Sequence, residues 1–249
     1  MILARISKAV REQNWFAVAL EFIIVIAGVV IGFQVTAWNA DRTQEARVNQ
    51  VLVRLESEVR SNLTLAQRQS AMIEEATPYL ETVFDAIHQC ELPEEGISYV
   101  HDVIWSLSGD WIPTYLDTVL QATASDVDLT SRLSPDFQAA MDTYAGHIAE
   151  DSEQLQINFD LMWGDIITRH PAFGLIDDPE TGEATFGLTI PFTEVCRDAG
   201  FQRRYSNTVT FIMGFQRRAD NLIEDIGLML AAMDEEKRQR GIEADEVAP

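Results

Sequence analysis

Residues 15–35 read WFAVALEFIIVIAGVVIGFQV, and residues 48–73 read VNQVLVRLESEVRSNLTLAQRQSAMI. The first stretch holds one charge, Glu21, in 21 residues and is apolar on every side. At about 1.5 Å of rise per helical residue it covers the roughly 30 Å of a bilayer's hydrocarbon core, which predicts a transmembrane helix over 15–36. In the second stretch the apolar residues Val48, Leu52, Leu55, Val59, Leu63, Ala66 and Ile73 recur at threes and fours, the spacing of an amphipathic helix. Together they predict a membrane helix that continues as a long rod until Pro78, where the missing N–H and the ring clash should stop it.

Two further stripes keep that spacing. Phe137, Met141, Tyr144, Ile148, Leu155, Phe159, Met162 and Ile166 follow Ser134-Pro135, a natural N-cap and first-turn pair. Phe201, Tyr205, Val209, Ile212, Phe215, Ala219, Leu222, Ile226, Leu230 and Met233 form the third. Shorter helices are expected near 78–89, 97–108 and 112–124, between turn-forming runs at 92–96 and 109–113. A small β-hairpin is expected near 173–190, turning at Asp177-Asp-Pro-Glu-Thr-Gly182. Long helices with narrow apolar stripes bury them against one another, so the fold class is all-α: an elongated antiparallel helical bundle rooted in the membrane helix. Heptad-like spacing also leaves open that a stripe faces a second subunit, as in a coiled coil. The organisation expected is a short N-terminus (1–14), the transmembrane helix (15–36), a helical domain (37–235) and a charged, flexible tail (236–249).

Arg5, Lys8 and Arg11 precede the span, while Arg42 and Arg47 follow it closely. This bias places the N-terminus in the cytoplasm and the C-terminal domain outside it, in the periplasm of a bacterial inner membrane, because a long acidic domain translocates whatever its charge. The same three cations suit a cleaved signal peptide, but the apolar core of such a peptide is about 7–15 residues, shorter than this run. Trp15 and Trp38 fall at the two interfaces, where an amphipathic ring anchors at headgroup depth. At 100° per residue, Glu21, Gly28, Gly32 and Asn39 lie within about 20° of one common direction on the wheel. Gly28 and Gly32 form a GxxxG, which lets a second helix approach closely, and a carboxylate at Glu21 is costly in lipid unless it is turned toward protein. The stripe reads as a helix–helix contact face, for another transmembrane protein or for a second copy of the chain.

Glu21, the run VIAGVVIGFQV, and Trp38-Asn39 followed by Arg42 resemble the opening of a family of single-pass bacterial membrane proteins described only as a domain of unknown function. The resemblance covers about residues 18–60 and is specific in Glu21, Gly28, Gln34, Trp38, Asn39 and Arg42. The chain departs from the family pattern at Gly32-Phe33, where Ala-Leu is usual, and at Ala40 and Thr43, where acidic and basic residues are usual. The resemblance implies a bacterial membrane anchor followed by a largely helical domain, and it implies no reaction.

With 18 Lys and Arg against 40 Asp and Glu the net charge is -22, which argues against nucleic acid as a partner because such binding rests on cation–phosphate contacts. No GxSxG, HExxH, GxGxxG or Walker-type loop occurs, and neither a cofactor nor a metal is expected. His88 and Cys90 supply two metal-ligand types without the remaining two of a zinc site. Asp126-Val-Asp128 and the Asp177–Glu183 cluster lack the framing of a cation loop. His170, before Pro171, suits a helix C-terminus, where a cation meets the dipole. Cys90 and Cys196 are a candidate disulfide pair; they bond only in an oxidising compartment and only if their Cα atoms come within about 5.5 Å. Residues 69–131 hold twelve acidic side chains and no Lys or Arg, a one-signed surface that serves solubility or steers a basic partner. Trp105, Trp111 and Tyr115 could line a small-ligand pocket or fill core. These features predict a non-enzymatic, membrane-anchored interaction or accessory protein, whose partners are the lipid bilayer and another membrane helix. The alternative is an extracytoplasmic sensor-like bundle that binds a small ligand between its helices.

Overall fold

The computed structural model describes residues 15–107, 114–177 and 182–242. The chain divides into two units, residues 1–50 and residues 51–249. Among the described residues it is all-α with one two-stranded antiparallel hairpin. The helices are α1 (Trp15–Gln89), α2 (Gly96–Ser106), α3 (Thr118–Ser125), α4 (Val127–Thr130), α5 (Pro135–Asp165), α6 (Phe192–Val195) and α7 (Ala199–Gln239). A 3-10 turn (Ile167–Arg169) and the strands β1 (Phe173–Asp177) and β2 (Ala184–Leu188) lie between α5 and α6.

In the second unit, α1 and α7 run antiparallel. Glu56 pairs with Lys237, Ser70 donates to Asp220 at 2.7 Å, and the Tyr205 hydroxyl donates to the Leu80 carbonyl at 2.8 Å. The facing stripes are strict heptads: Leu52, Leu55, Val59, Asn62, Ala66, Gln69, Ile73, Leu80, Val83 and Ile87 on α1 are buried, as is every third or fourth residue of α7 from Phe201 to Glu236. Helix α5 packs on α7 and is antiparallel to it, with the Ser134 N–H donating to Glu236 and His147 lying beside Asp225. Among the described residues the stripes therefore close on each other within one chain.

Several expectations are corrected at the level of single residues. Pro78 does not end the first helix, which runs on to Gln89. An interior Pro costs about 3 kcal/mol or more, but Leu80, Val83 and Ile87 continue the buried stripe beyond it in register, so packing outweighs the local cost. The separate helix expected at 78–89 is thus the last part of α1. Asn62, not Leu63, occupies the seam, and Thr208 and Met229 take the places expected for Val209 and Leu230. The charged end of α7 is not tail: the helix reaches Gln239, and Glu236 and Lys237 are buried. Residues 243–249, and the side chains of Leu155, Phe159 and Met162, lie outside what is described.

The polar seam residues have a task. Helix α3 has no capping side chain of its own at Asp117; instead the buried Glu58 carboxylate of α1 accepts from the N–H groups of Val119 and Leu120 at 2.8 and 3.0 Å. Asn62 accepts from the Leu116 N–H at 2.8 Å and donates to the Leu116 carbonyl and the Tyr144 hydroxyl at 2.7 and 2.8 Å. The Tyr115 hydroxyl donates to Gln69 at 3.1 Å. One polar stripe of α1 thus satisfies the backbone of the incoming 115–120 segment, groups that are costly to bury unpaired. Burial is also what pushes the Tyr144 hydroxyl up to about 12.

At the other end of the seam the expected hairpin forms, Phe173 opposite Leu188 and Leu175 opposite Phe186. It sits on α2 so closely that a Cβ at Gly187 would lie 2.5 Å from His101 Nδ1. The expected Ser134 cap is present as well, its hydroxyl accepting from the Phe137 N–H, with Pro135 opening α5.

Asn62→Ala should lower unfolding free energy by about 1–3 kcal/mol, because it strands buried backbone groups of Leu116, whereas the exposed Ser57→Ala should change it by less than about 0.5 kcal/mol. Urea unfolding of both variants checks this, and equal effects would refute the clamp.

Candidate functional site

Four groups of residues bear on function. In the first unit, α1 carries the segment expected to cross a membrane. Its most apolar 18-residue window has a mean hydropathy of 2.2 and none of it is buried. Glu21, Gly28, Gly32 and Asn39 are all exposed, and a Cβ at Gly28 or Gly32 would meet nothing within 4 Å. The Thr36 hydroxyl folds back onto the Gly32 carbonyl at 2.9 Å, and that of Thr43 onto Asn39 at 2.9 Å, which satisfies these hydroxyls within the helix. Trp38 is exposed, with the Arg42 guanidinium 5.1 Å from its ring centroid. The side chain of Trp15 lies outside what is described.

The second group is the cysteine pair. Cys90 and Cys196 are bonded, with Cα atoms 5.3 Å apart and a sequence separation of 106. Cys90 sits just past α1 at φ 57°, and the Glu91 N–H reaches back to the Ala86 carbonyl at 3.2 Å. This is a Schellman ending with cysteine in the left-handed position that glycine normally takes. With its sulfur bonded, Cys90 is no thiolate partner for His88, whose Nδ1 lies 2.8 Å from the Phe84 carbonyl.

Third, a cleft of about 1120 Å³ opens between the 53–64 stretch of α1 and the end of α7. Its charged lining is Arg54, Arg60, Lys237 and Arg238 against Glu56 and Asp234. Glu56 accepts from both Arg60 and Lys237. Burial works to raise its carboxyl, but the hydrogen bonds and charges of Lys237 and Arg60 outweigh burial and hold it below the ordinary value. The sequence alone did not reveal this cleft, because its two halves lie some 180 residues apart and meet only through the antiparallel register, Lys237 being 181 residues from Glu56. The signal available was that basic residues gather at 54 and 60 and again at 237–240, while 69–131 has none.

The remaining expected residues have structural partners. Trp105 stacks on Phe186 at 4.5 Å between centroids, Tyr115 is buried on Gln69, and Trp111 lies outside the described residues. Asp126 caps α4 by accepting from the Leu129 N–H. His170 follows the 3-10 turn rather than ending α5. It caps that turn, and burial lowers its pKa, with Asp198 at 3.6 Å opposing that and Arg204 adding to it.

No family model, curated protein or solved structure matches the chain.

Two outcomes follow. Cys196→Ser should cost about 4 kcal/mol, from the freed loop entropy, and in that background Cys90→Gly should restore about 1 kcal/mol by suiting the left-handed position; urea unfolding reads both, and a further loss with Gly would refute the assignment. The carboxyl of Glu56 is depressed in the folded state, so its contribution is full above the unfolded value of 4.5 and fades as pH falls through the lower folded value. The stability gap between wild type and Glu56→Gln should therefore be open at pH 7 and close in acid, and a gap independent of pH would contradict this.

Proposed function

We propose that the protein is a single-pass, non-enzymatic interaction or accessory protein of the bacterial inner membrane, with its N-terminus in the cytoplasm and its bundle in the periplasm. The membrane segment of α1 anchors it and pairs with a second membrane helix through Glu21, Gly28, Gly32 and Asn39; the bundle supplies a folded docking domain. The observation that carries this is the glycine pair. Both glycines face open space in their own chain, on a segment with none of its surface covered, and such a notch earns its helix-packing value only from another helix.

Three further observations support the reading. Bonded Cys90 and Cys196 suit an oxidising compartment such as the periplasm and not the cytosol. The residues around Glu21 and Trp38-Asn39 resemble a family of single-pass bacterial membrane proteins. Among the described residues the apolar stripes of the bundle are buried within the chain, while the apolar segment of α1 is exposed along its length.

Cysteine-free crosslinking in intact cells tests this. The wild-type chain should give a discrete crosslinked species, and Gly28→Ile with Gly32→Ile should reduce it by about tenfold or more, since a loss of roughly 1.4 kcal/mol in association already gives that factor. An unchanged species would overturn the contact face.

A further inference from the structure

The cleft between α1 and the end of α7 has a charge opposite in sign to the chain around it. The chain carries -22, yet the cleft is lined by Arg54, Arg60, Lys237 and Arg238 against Glu56 and Asp234. Glu56 is one carboxylate divided between two cations, Arg60 and Lys237, so it cannot neutralise both. Arg238 pairs with Glu235 three residues away, but both are well exposed, at 73% and 42%, and exposed pairs of this kind exchange for a better partner at little cost. Arg54 is exposed and pairs with no carboxylate among the described residues.

The rest of the lining agrees with this charge. Ser57, Ser61 and Thr64 put three hydroxyls along the α1 wall. Those of Ser61 and Thr64 now donate to the Ser57 and Arg60 carbonyls of their own helix, at 2.8 and 3.1 Å, and a rotation about χ1 turns such a donor outward. At about 1120 Å³ the space admits a small molecule. Guanidinium forks, an ammonium and hydroxyl donors are the groups that bind phosphate oxygens, the guanidinium in bidentate fashion.

We propose that this cleft binds a phosphate-bearing ligand, with Arg54 and Arg238 as its exposed clamps and Arg60 and Lys237 as the charge behind them. A soluble phosphate compound and a phospholipid headgroup share this chemistry. The full-length protein in a neutral detergent is titrated calorimetrically at low salt with inorganic pyrophosphate and, separately, with dihexanoyl phosphatidylglycerol. Saturable binding of at least one probe is expected; pyrophosphate alone assigns a soluble ligand, and the lipid, alone or with pyrophosphate, assigns a headgroup. Arg54→Ala with Arg238→Ala, both exposed and outside the seam, should weaken that binding at least about tenfold while leaving the melting temperature unchanged. Asp234→Asn should tighten it. Saturation by neither probe, or binding that the double variant leaves intact, would overturn the proposal.

Discussion

The structure depends on two heptad stripes that cannot face water and that meet each other. Leu52 to Ile87 on α1 and Phe201 to Glu236 on α7 are buried along their lengths, and their antiparallel register is fixed at both ends, by Glu56 with Lys237 and by Leu80 with Tyr205. Everything else in the second unit attaches to this seam. Helix α5 covers one part of it through Phe137, Met141 and Tyr144; α2 and the hairpin cover the other, joining Ile73, Val83, Ile104, Phe173 and Phe215 in one core. The disulfide ties the end of α1 to the turn before α7, and so holds the register where the seam ends.

An apolar seam alone specifies register weakly, because sliding by a heptad keeps apolar residues in contact. Between α1 and α7 the contacts of Glu56 with Lys237, Ser70 with Asp220 and Tyr205 with Leu80 remove that freedom, and Glu58, Asn62 and Gln69 fix where the 115–120 segment and α5 seat on α1. Each must meet particular backbone or hydroxyl groups in the 115–120 segment or on Tyr144, and a slip would strand those groups without partners. These residues also explain what the sequence made legible and what it concealed. The all-α class, the three long stripes, the Ser134-Pro135 start and the hairpin were readable because each rests on periodicity or a local cap. Asn62 is hidden by its apolar neighbour Leu63, and Thr208 by Val209, because apolarity marks the seam less truly than the heptad count does. Pro78 breaks the helix less than the local rule implies, because the buried stripe continues beyond it.

The two proposed functional surfaces divide in the same way. The face of Glu21, Gly28, Gly32 and Asn39 lies on one helix within nineteen residues of sequence, so its geometry follows from 100° per residue alone. The basic cleft needs residues from both ends of the bundle, and no local pattern joins Arg54 to Arg238 until the register is known. The acidic run at 69–131 was legible as a one-signed surface; its counterpart, the gathering of cations at the other end of the seam, becomes visible once α1 and α7 are laid antiparallel.

The central claim is that the described apolar stripes of the bundle are buried within the chain while the apolar segment of α1, proposed to cross the membrane, takes a partner helix. Native mass spectrometry of the wild-type full-length protein, released from its own membranes without prior detergent exchange, tests it most directly. The account predicts a complex of fixed stoichiometry containing a second membrane-spanning chain, either another copy or a different protein. A monomer accompanied only by lipid would contradict it.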